Sequence, residues 1–388
     1  MQTPEEFSDI RPYESEEIGQ VFDELAVDPQ FREAMSQALP QVPFDAIIAK
    51  GKSCKTLLEF QLAFDYPFLK QLLQSTSTGI DFTPGDLDRQ GSYTFVSNHR
   101  DIVLDSALLC LQLVDAGFRT TAEIAIGNNL LVYPWIKHIV RLNKSFIVKR
   151  APGLREQLTC SRQLSGYLHY AISQKHENIW IAQREGRAKD ANDRTQQSIL
   201  KMMAMRGEGN SIREHLMQLH IVPLAISYEY DPCDCLKAKE FQQKRDNANY
   251  KKTQQNDLIN MRTGIFGFKG RIHYQASACL DTWLAQQPDS ITNNELFEAT
   301  AKHIDHAIHS NYRLYANNYI AYDKLKGGSR FAQLYTDEEL HHFEDYLSGQ
   351  IARIDLPSPD HDFLQHKLLE MYANPLINYL AAAEQRES

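Results

Sequence analysis

The chain has 388 residues, with 41 Lys+Arg against 50 Asp+Glu and a formal net charge of −9. That acidic balance speaks against a nucleic-acid module, and a content of 43% hydrophobic and 10% aromatic residues excludes a disordered chain. Six cysteines, at Cys54, Cys110, Cys160, Cys233, Cys235 and Cys279, are too sparse and irregular for a disulfide framework and fit a reduced compartment.

The N-terminal stretch MQTPEEFSDIRPYESEEIG is acidic and polar where a secretory signal needs a basic start and an apolar run, so a cytoplasmic protein is expected. Residues 15 to 77 return apolar residues at three- and four-residue steps and read as helices. Between 78 and 92 the Gly, Pro and Asp density is that of a loop.

From residue 93 short strands alternate with helices. The expected strands are YTFVS (93–97), EIAI (123–126), SFIVK (145–149), NIWIA (178–182) and IVPLAISYEY (221–230). The intervening helices are expected near 103–115, 129–141, 153–174 and 194–206. Such alternation predicts an α/β fold with a largely parallel sheet, whose active site sits beyond the strand C-termini.

Residues 231 to 263 are polar and charge-rich and read as a solvated helix or an excursion from the fold. Cys233 and Cys235 flank Asp234 there, but no second pair stands at zinc-site spacing, so free thiols and no metal are expected. KGRIHYQAS (269–277) reads as a last strand, and helices resume from 291. The chain thus divides into a helical N-terminal region (1–88), an α/β core (89–285) and a helical C-terminal region (286–388). The apolar stretches 130–136 and 221–226 fall far short of the roughly 20 residues that span a bilayer.

The segment FVSNHRDIVLDSALL (95–109) carries the clearest chemistry. His99 follows a strand end in a polar turn before an apolar helix, beside Asp101 and Asp105. A general base belongs at such a place, and a carboxylate on its second ring nitrogen would fix the tautomer. Either aspartate suits that role, and either also suits helix capping. His-Arg-Asp opens the catalytic loop of protein kinases too, but the Asn expected five residues after the Asp is Ser106 here, and no Gly-rich phosphate loop or Asp-Phe-Gly occurs. Serine-hydrolase and P-loop signatures are likewise missing.

Two further strand ends are basic. SFIVKR ends in Lys149 and Arg150, and NIWIAQREGRAKD runs on through Arg184, Glu185, Gly186, Arg187 and Lys189. Guanidinium groups beside a glycine can grip a phosphate closely.

The series NHRDIVLD, SFIVKR, QREGRAKD and IVPLAI resembles, in order, the four sequence blocks of the glycerol-phosphate and lysophosphatidate acyltransferase superfamily, over residues 90 to 230. The resemblance implies an acyltransferase-type α/β core, a catalytic His–Asp pair and a phosphate site. Carried over, His99 is the base, Arg150 a phosphate ligand, and Glu185, Gly186 and Arg187 the third block, joined by Lys189; Pro223 stands in the fourth. Two departures are visible. Five residues rather than four separate His99 from Asp105, so Asp105 is taken as its partner with Asp101 as the alternative, and the third block is one residue shorter than usual.

The expectation is therefore O-acyl transfer from acyl-CoA or an acyl-carrier protein to a hydroxyl of glycerol 3-phosphate or a lysophospholipid. It needs no cofactor, metal or covalent intermediate. The run LLVYPWIKHIVRL (130–142) is amphipathic and would suit peripheral contact with the inner face of a cell membrane. An acyltransferase for a phosphate-free lipid acceptor, or a catalytically silent lipid-binding or scaffold protein, are the alternatives.

Overall fold

The computed structural model describes residues 3–131 and 133–387. Met1 and Gln2 of the acidic N-terminal stretch, Val132 of the amphipathic run and the terminal Ser388 lie outside the described residues.

Seven strands form one sheet: β1 (Gly79–Thr83), β2 (Thr94–Ser97), β3 (Ala122–Gly127), β4 (Ser145–Val148), β5 (Asn178–Ala182), β6 (Ile221–Tyr228) and β7 (Arg271–Ala276). Their order is β1-β7-β6-β2-β5-β3-β4, and every pairing is parallel except β6 with β7. The expected mixed, largely parallel α/β sheet is the one found. Strand β1 is an addition to it, because the stretch read as a loop contains Ile80 and Phe82 alternating with Asp81 and Thr83. This five-residue, half-exposed edge strand is hidden among turn residues.

Central strands are buried on both faces, as a covered parallel sheet requires. Phe95, Trp180, Val222, Leu224 and Tyr274 face a layer that includes Leu108 and Leu109 of helix Leu104–Asp115 and Leu69 and Leu72 of helix Tyr66–Thr76. Val96, Ile179, Ile181, Ile221 and Ala225 face the opposite layer. Tyr167 and Leu168 of helix Leu154–Ser173 and Ile304 and Ile308 of helix Asn293–Ser310 lie there. Alternate residues of one strand thus serve two cores, which follows from the two-residue repeat of extended chain.

Two satellite clusters flank the sheet. Phe22, Leu25, Phe31, Phe60 and Leu142 gather the N-terminal helices. Ile320, Phe343, Leu347, Leu364 and Leu368 gather the C-terminal helices Ala316–Lys326, Asp337–Ala352 and His361–Glu387. No helix among the described residues is long and apolar enough to cross a membrane.

The charged segment after β6 departs from its expectation. It forms helices Asp234–Asp246 and Gln254–Phe266, and the first buries Asp234, Cys235, Lys237, Ala238, Glu240 and Gln242. Its buried face is hydrophilic yet matched. The Asp234 carboxylate accepts from the hydroxyls of Tyr346 (2.6 Å) and Tyr372 (2.7 Å). Lys237 donates to Asp231 and to the carbonyl of Arg100, and Glu240 pairs with Lys189 and Lys244. Hydropathy periodicity cannot register a face buried through polar partners.

Candidate active site

Strand register brings the predicted segments to one edge. Ser97 of β2 lies level with Ala182 of β5 and Leu224 of β6, and Gly127 of β3 pairs with Val148 of β4. The turns after β2, β4 and β5 therefore leave the sheet together.

Asn98 sutures the first turn to the sheet: its side-chain amide donates to the Ile226 carbonyl (2.9 Å) and its oxygen accepts from the Ile226 N–H (2.8 Å). Trp180 stands edge-on to the His99 ring at 5.4 Å and donates through its indole N–H to Ser97 Oγ (3.0 Å). The imidazole is thus held by packing on one side and by hydrogen bonding on the other.

His99 Nδ1 is 2.8 Å from Asp105 Oδ2. That same oxygen accepts from the backbone N–H groups of Arg100 (2.6 Å) and Asp101 (3.1 Å), and Asp105 is fully buried. The extra residue in the His–Asp spacing is absorbed by this turn, which wraps its own amides onto the carboxylate. Nε2 of His99 has no protein partner among the described residues, and His99 lines a large cavity.

Asp101, the alternative partner, is not beside the imidazole nitrogen. Its Oδ1 accepts from the N–H groups of Val103 (2.9 Å) and Leu104 (2.8 Å), capping the helix that carries Asp105. Burial, then the neighbouring Asp105 charge, pushes its carboxyl up. Helix Gln254–Phe266 passes over it so closely that a Cβ at Gly264 would overlap Asp101 Oδ2. Arg100 turns away from the cavity and pairs, buried, with Asp193 at 2.8 Å.

The basic residues fall into three states. Arg150 and Glu185 bind one another (3.0 Å), with side chains 51% and 66% exposed. Lys189 is paired with Glu240, and burial lowers its ammonium to about 8 despite that partner. Arg187 donates from Nη2 to Asn260 Oδ1 (3.0 Å), while its buried Nη1 has no partner among the described residues. All four groups line the same cavity as His99.

Arg184 lines it too and pairs with no carboxylate among the described residues. The sequence places Arg184 among the basic residues of this strand end, but a run of charges does not reveal which are neutralised by distant partners. Gly186 takes φ +68°, with nothing within 4 Å of the place a Cβ would occupy. The backbone turn, not crowding, requires glycine there.

The cavity measures about 1330 Å³. Away from the polar edge its walls are apolar: Ala107, Leu111 and Val114 of helix Leu104–Asp115, and Ile136, Ile139 and Val140 of helix Pro134–Leu142. The amphipathic run thus turns apolar residues into the cavity. Of its polar residues, Arg141 binds the carbonyls of Arg11 and Ser8, and His138 meets Tyr13. Tyr133 remains 38% exposed.

Residues of metal-ligating type gather once among the described residues, at His220, Cys279 and Asp281, whose ligand atoms lie within 4.8 Å of one another. His220 precedes β6, so this group sits at the sheet edge opposite His99. Its imidazole is already engaged by Asp281 at 2.6 Å.

No protein-family model matches the chain, and no curated protein matches its sequence. Among solved structures it is similar to the crystal structure of the 1-acyl-sn-glycerophosphate (LPA) acyltransferase PlsC from Thermotoga maritima. The TM-score is 0.35 at 12% identity, over 74% of this chain and 91% of that one.

Proposed function

We propose that the protein is an O-acyltransferase that moves a fatty acyl group from a thioester to the hydroxyl of a phosphate-bearing lipid acceptor. The observation that carries this reading is the 2.8 Å contact between His99 Nδ1 and the buried Asp105 carboxylate, at the mouth of a long apolar cavity. Asp105 fixes the proton on Nδ1 and leaves Nε2 as the base.

In this mechanism the acceptor hydroxyl loses its proton to Nε2 as its oxygen attacks the thioester carbonyl. The tetrahedral intermediate then collapses, the C–S bond breaks, and the departing thiolate takes the proton back from the imidazolium, which the Asp105 carboxylate has stabilised. A thioester is electrophilic enough that no serine or cysteine nucleophile is required. Arg184, which lines the cavity and pairs with no carboxylate among the described residues, receives the acceptor phosphate with Arg187 beside it, holding the hydroxyl near the base. The acyl chain lies along the apolar wall.

Acyl-CoA or acyl-carrier protein is the proposed donor, and glycerol 3-phosphate or a lysophospholipid the acceptor. Leu62 and Phe68, cavity-lining yet 43% and 41% exposed, favour delivery from a membrane surface. Release of free thiol from acyl-CoA, read with a colour-forming thiol reagent across phosphorylated and phosphate-free acceptors, tests the reading. Acceptor-dependent release that His99→Ala abolishes is expected; thiol release that His99→Ala leaves intact would remove it.

A further inference from the structure

One peptide group in the turn that carries His99 is bonded at both ends. The Arg100 carbonyl and the Asp101 N–H belong to a single trans peptide unit, so they point in opposite directions. The carbonyl accepts from Lys237 Nζ (3.1 Å). The N–H donates to Asp105 Oδ2 (3.1 Å), the same oxygen that lies 2.8 Å from His99 Nδ1. Lys237, the peptide, the Asp105 carboxylate and the imidazole therefore make one continuous hydrogen-bonded chain.

Its first member comes from helix Asp234–Asp246, 137 residues beyond Arg100. Lys237 is only 2% exposed and is not part of the cavity lining. Asp231 pairs with its ammonium and offsets the cost of burying it. The second bond is aimed at the main chain beside the candidate base. A cation on a carbonyl oxygen draws electron density through the amide and makes its N–H a stronger donor, and such polarisation passes along a buried chain.

We propose that Lys237 is a positioning residue for the base: through the Arg100–Asp101 peptide it steadies the charged Asp105 carboxylate against His99 Nδ1 and favours an unprotonated Nε2. This rests on the reading of His99 as the base and goes beyond it by assigning a role to a residue outside the cavity. A simple strut would hold the turn in place, whereas this chain also acts through charge.

Other titratable groups face the pair. Asp101 lies on its own turn with Arg187 nearby, Arg100 is paired with Asp193, and Tyr228 and Tyr274 approach Asp105 from β6 and β7. All of these are common to the variants compared below, so differences among the variants report on Lys237 and its partner.

The His99 imidazole signal, assigned by its loss in His99→Ala, is followed by NMR as pH is varied, with kcat/KM profiles beside it. Lys237→Met removes the charge, Lys237→Arg keeps it, and Asp231→Asn leaves it unopposed. Lys237→Met is expected to move the titration midpoint and the acid limb of kcat/KM up by about half a unit, a roughly threefold change in the unprotonated fraction, with acceptor KM unchanged. Asp231→Asn should move both down, and Lys237→Arg should leave them near the wild type. An unmoved midpoint in folded Lys237→Met, or shifts of the same sign in Lys237→Met and Asp231→Asn, would overturn the assignment. If Lys237→Met does not fold, Asp231→Asn decides, since an unmoved or raised midpoint there contradicts the chain. The expected shifts with no thiol release from any donor would sink the acyltransferase reading and leave the role of Lys237 assigned. Thiol release that depends on His99, with unmoved midpoints, would do the reverse.

Discussion

Arg150 Nη2 lies 3.0 Å from Glu185 Oε1, so two residues expected to serve one phosphate serve each other across the cavity mouth. Both side chains are more than half exposed, and an exposed pair of this kind holds with little energy. In the proposed reading Arg184, which lines the cavity with no carboxylate partner among the described residues, is the main phosphate contact, and Arg150 must first leave Glu185. Arg184→Ala is expected to raise the acceptor KM about tenfold or more, and Arg150→Ala about threefold or less, with the donor KM unchanged in both. Steady-state kinetics with each substrate varied in turn measure this, and the reverse ranking would return the role to Arg150.

The His99–Asp105 contact predicts unequal variants. His99→Ala removes the proposed base and should lower kcat about 10²- to 10⁴-fold without loss of fold. Asp105→Ala also takes away the oxygen that accepts from the Arg100 and Asp101 N–H groups, so a lower melting temperature should accompany its loss of turnover. Circular dichroism melts beside thiol-release rates separate the two outcomes, and an Asp105→Ala chain of normal stability would contradict the bonding described.

Gly264 offers a prediction with a diagnostic sign. Glycine to alanine inside a helix ordinarily stabilises by about 1 kcal/mol. Here the new methyl would overlap Asp101 Oδ2, which cannot yield because its other oxygen caps helix Leu104–Asp115. Gly264→Ala is expected to destabilise by about 1–3 kcal/mol instead. Urea unfolding would show it, and stabilisation would mean that the two helices are not so close.

Acid sensitivity follows from two buried imidazoles. Burial, chiefly, lowers His169 and His309 from 6.5 to about 4. The folded chain resists protonating them while the unfolded chain does not, so their contribution is complete above pH 6.5 and is lost as pH falls towards 4. Each is worth about 3 kcal/mol over that interval. Urea midpoints measured down this range should fall steeply for the wild type and less so for His309→Gln; parallel slopes would contradict the assignment.

Strand positions were legible because buried strands are short apolar runs bounded by turn residues, and YTFVS, NIWIA and SFIVK each met their observed strand within one residue. The edge strand β1 was not, being half-exposed and set among Gly, Pro and Asp. The helix Asp234–Asp246 looked solvated because its buried face carries Asp234, Lys237 and Glu240, whose hydrogen-bond and ion-pair partners include Tyr346, Tyr372, the Arg100 carbonyl and Lys189, far away in the chain.

What the amino-acid order determined by itself is local: an imidazole at a strand end, carboxylates two and six residues further on, and runs of cations at neighbouring strand ends. Those features depend on backbone propensity and on residues close in sequence. Which cation stays unpaired, and which aspartate caps and which one holds the imidazole, were decided by tertiary structure. Charges are neutralised by whichever groups packing brings within a few ångströms, and those groups come from elements up to hundreds of residues apart.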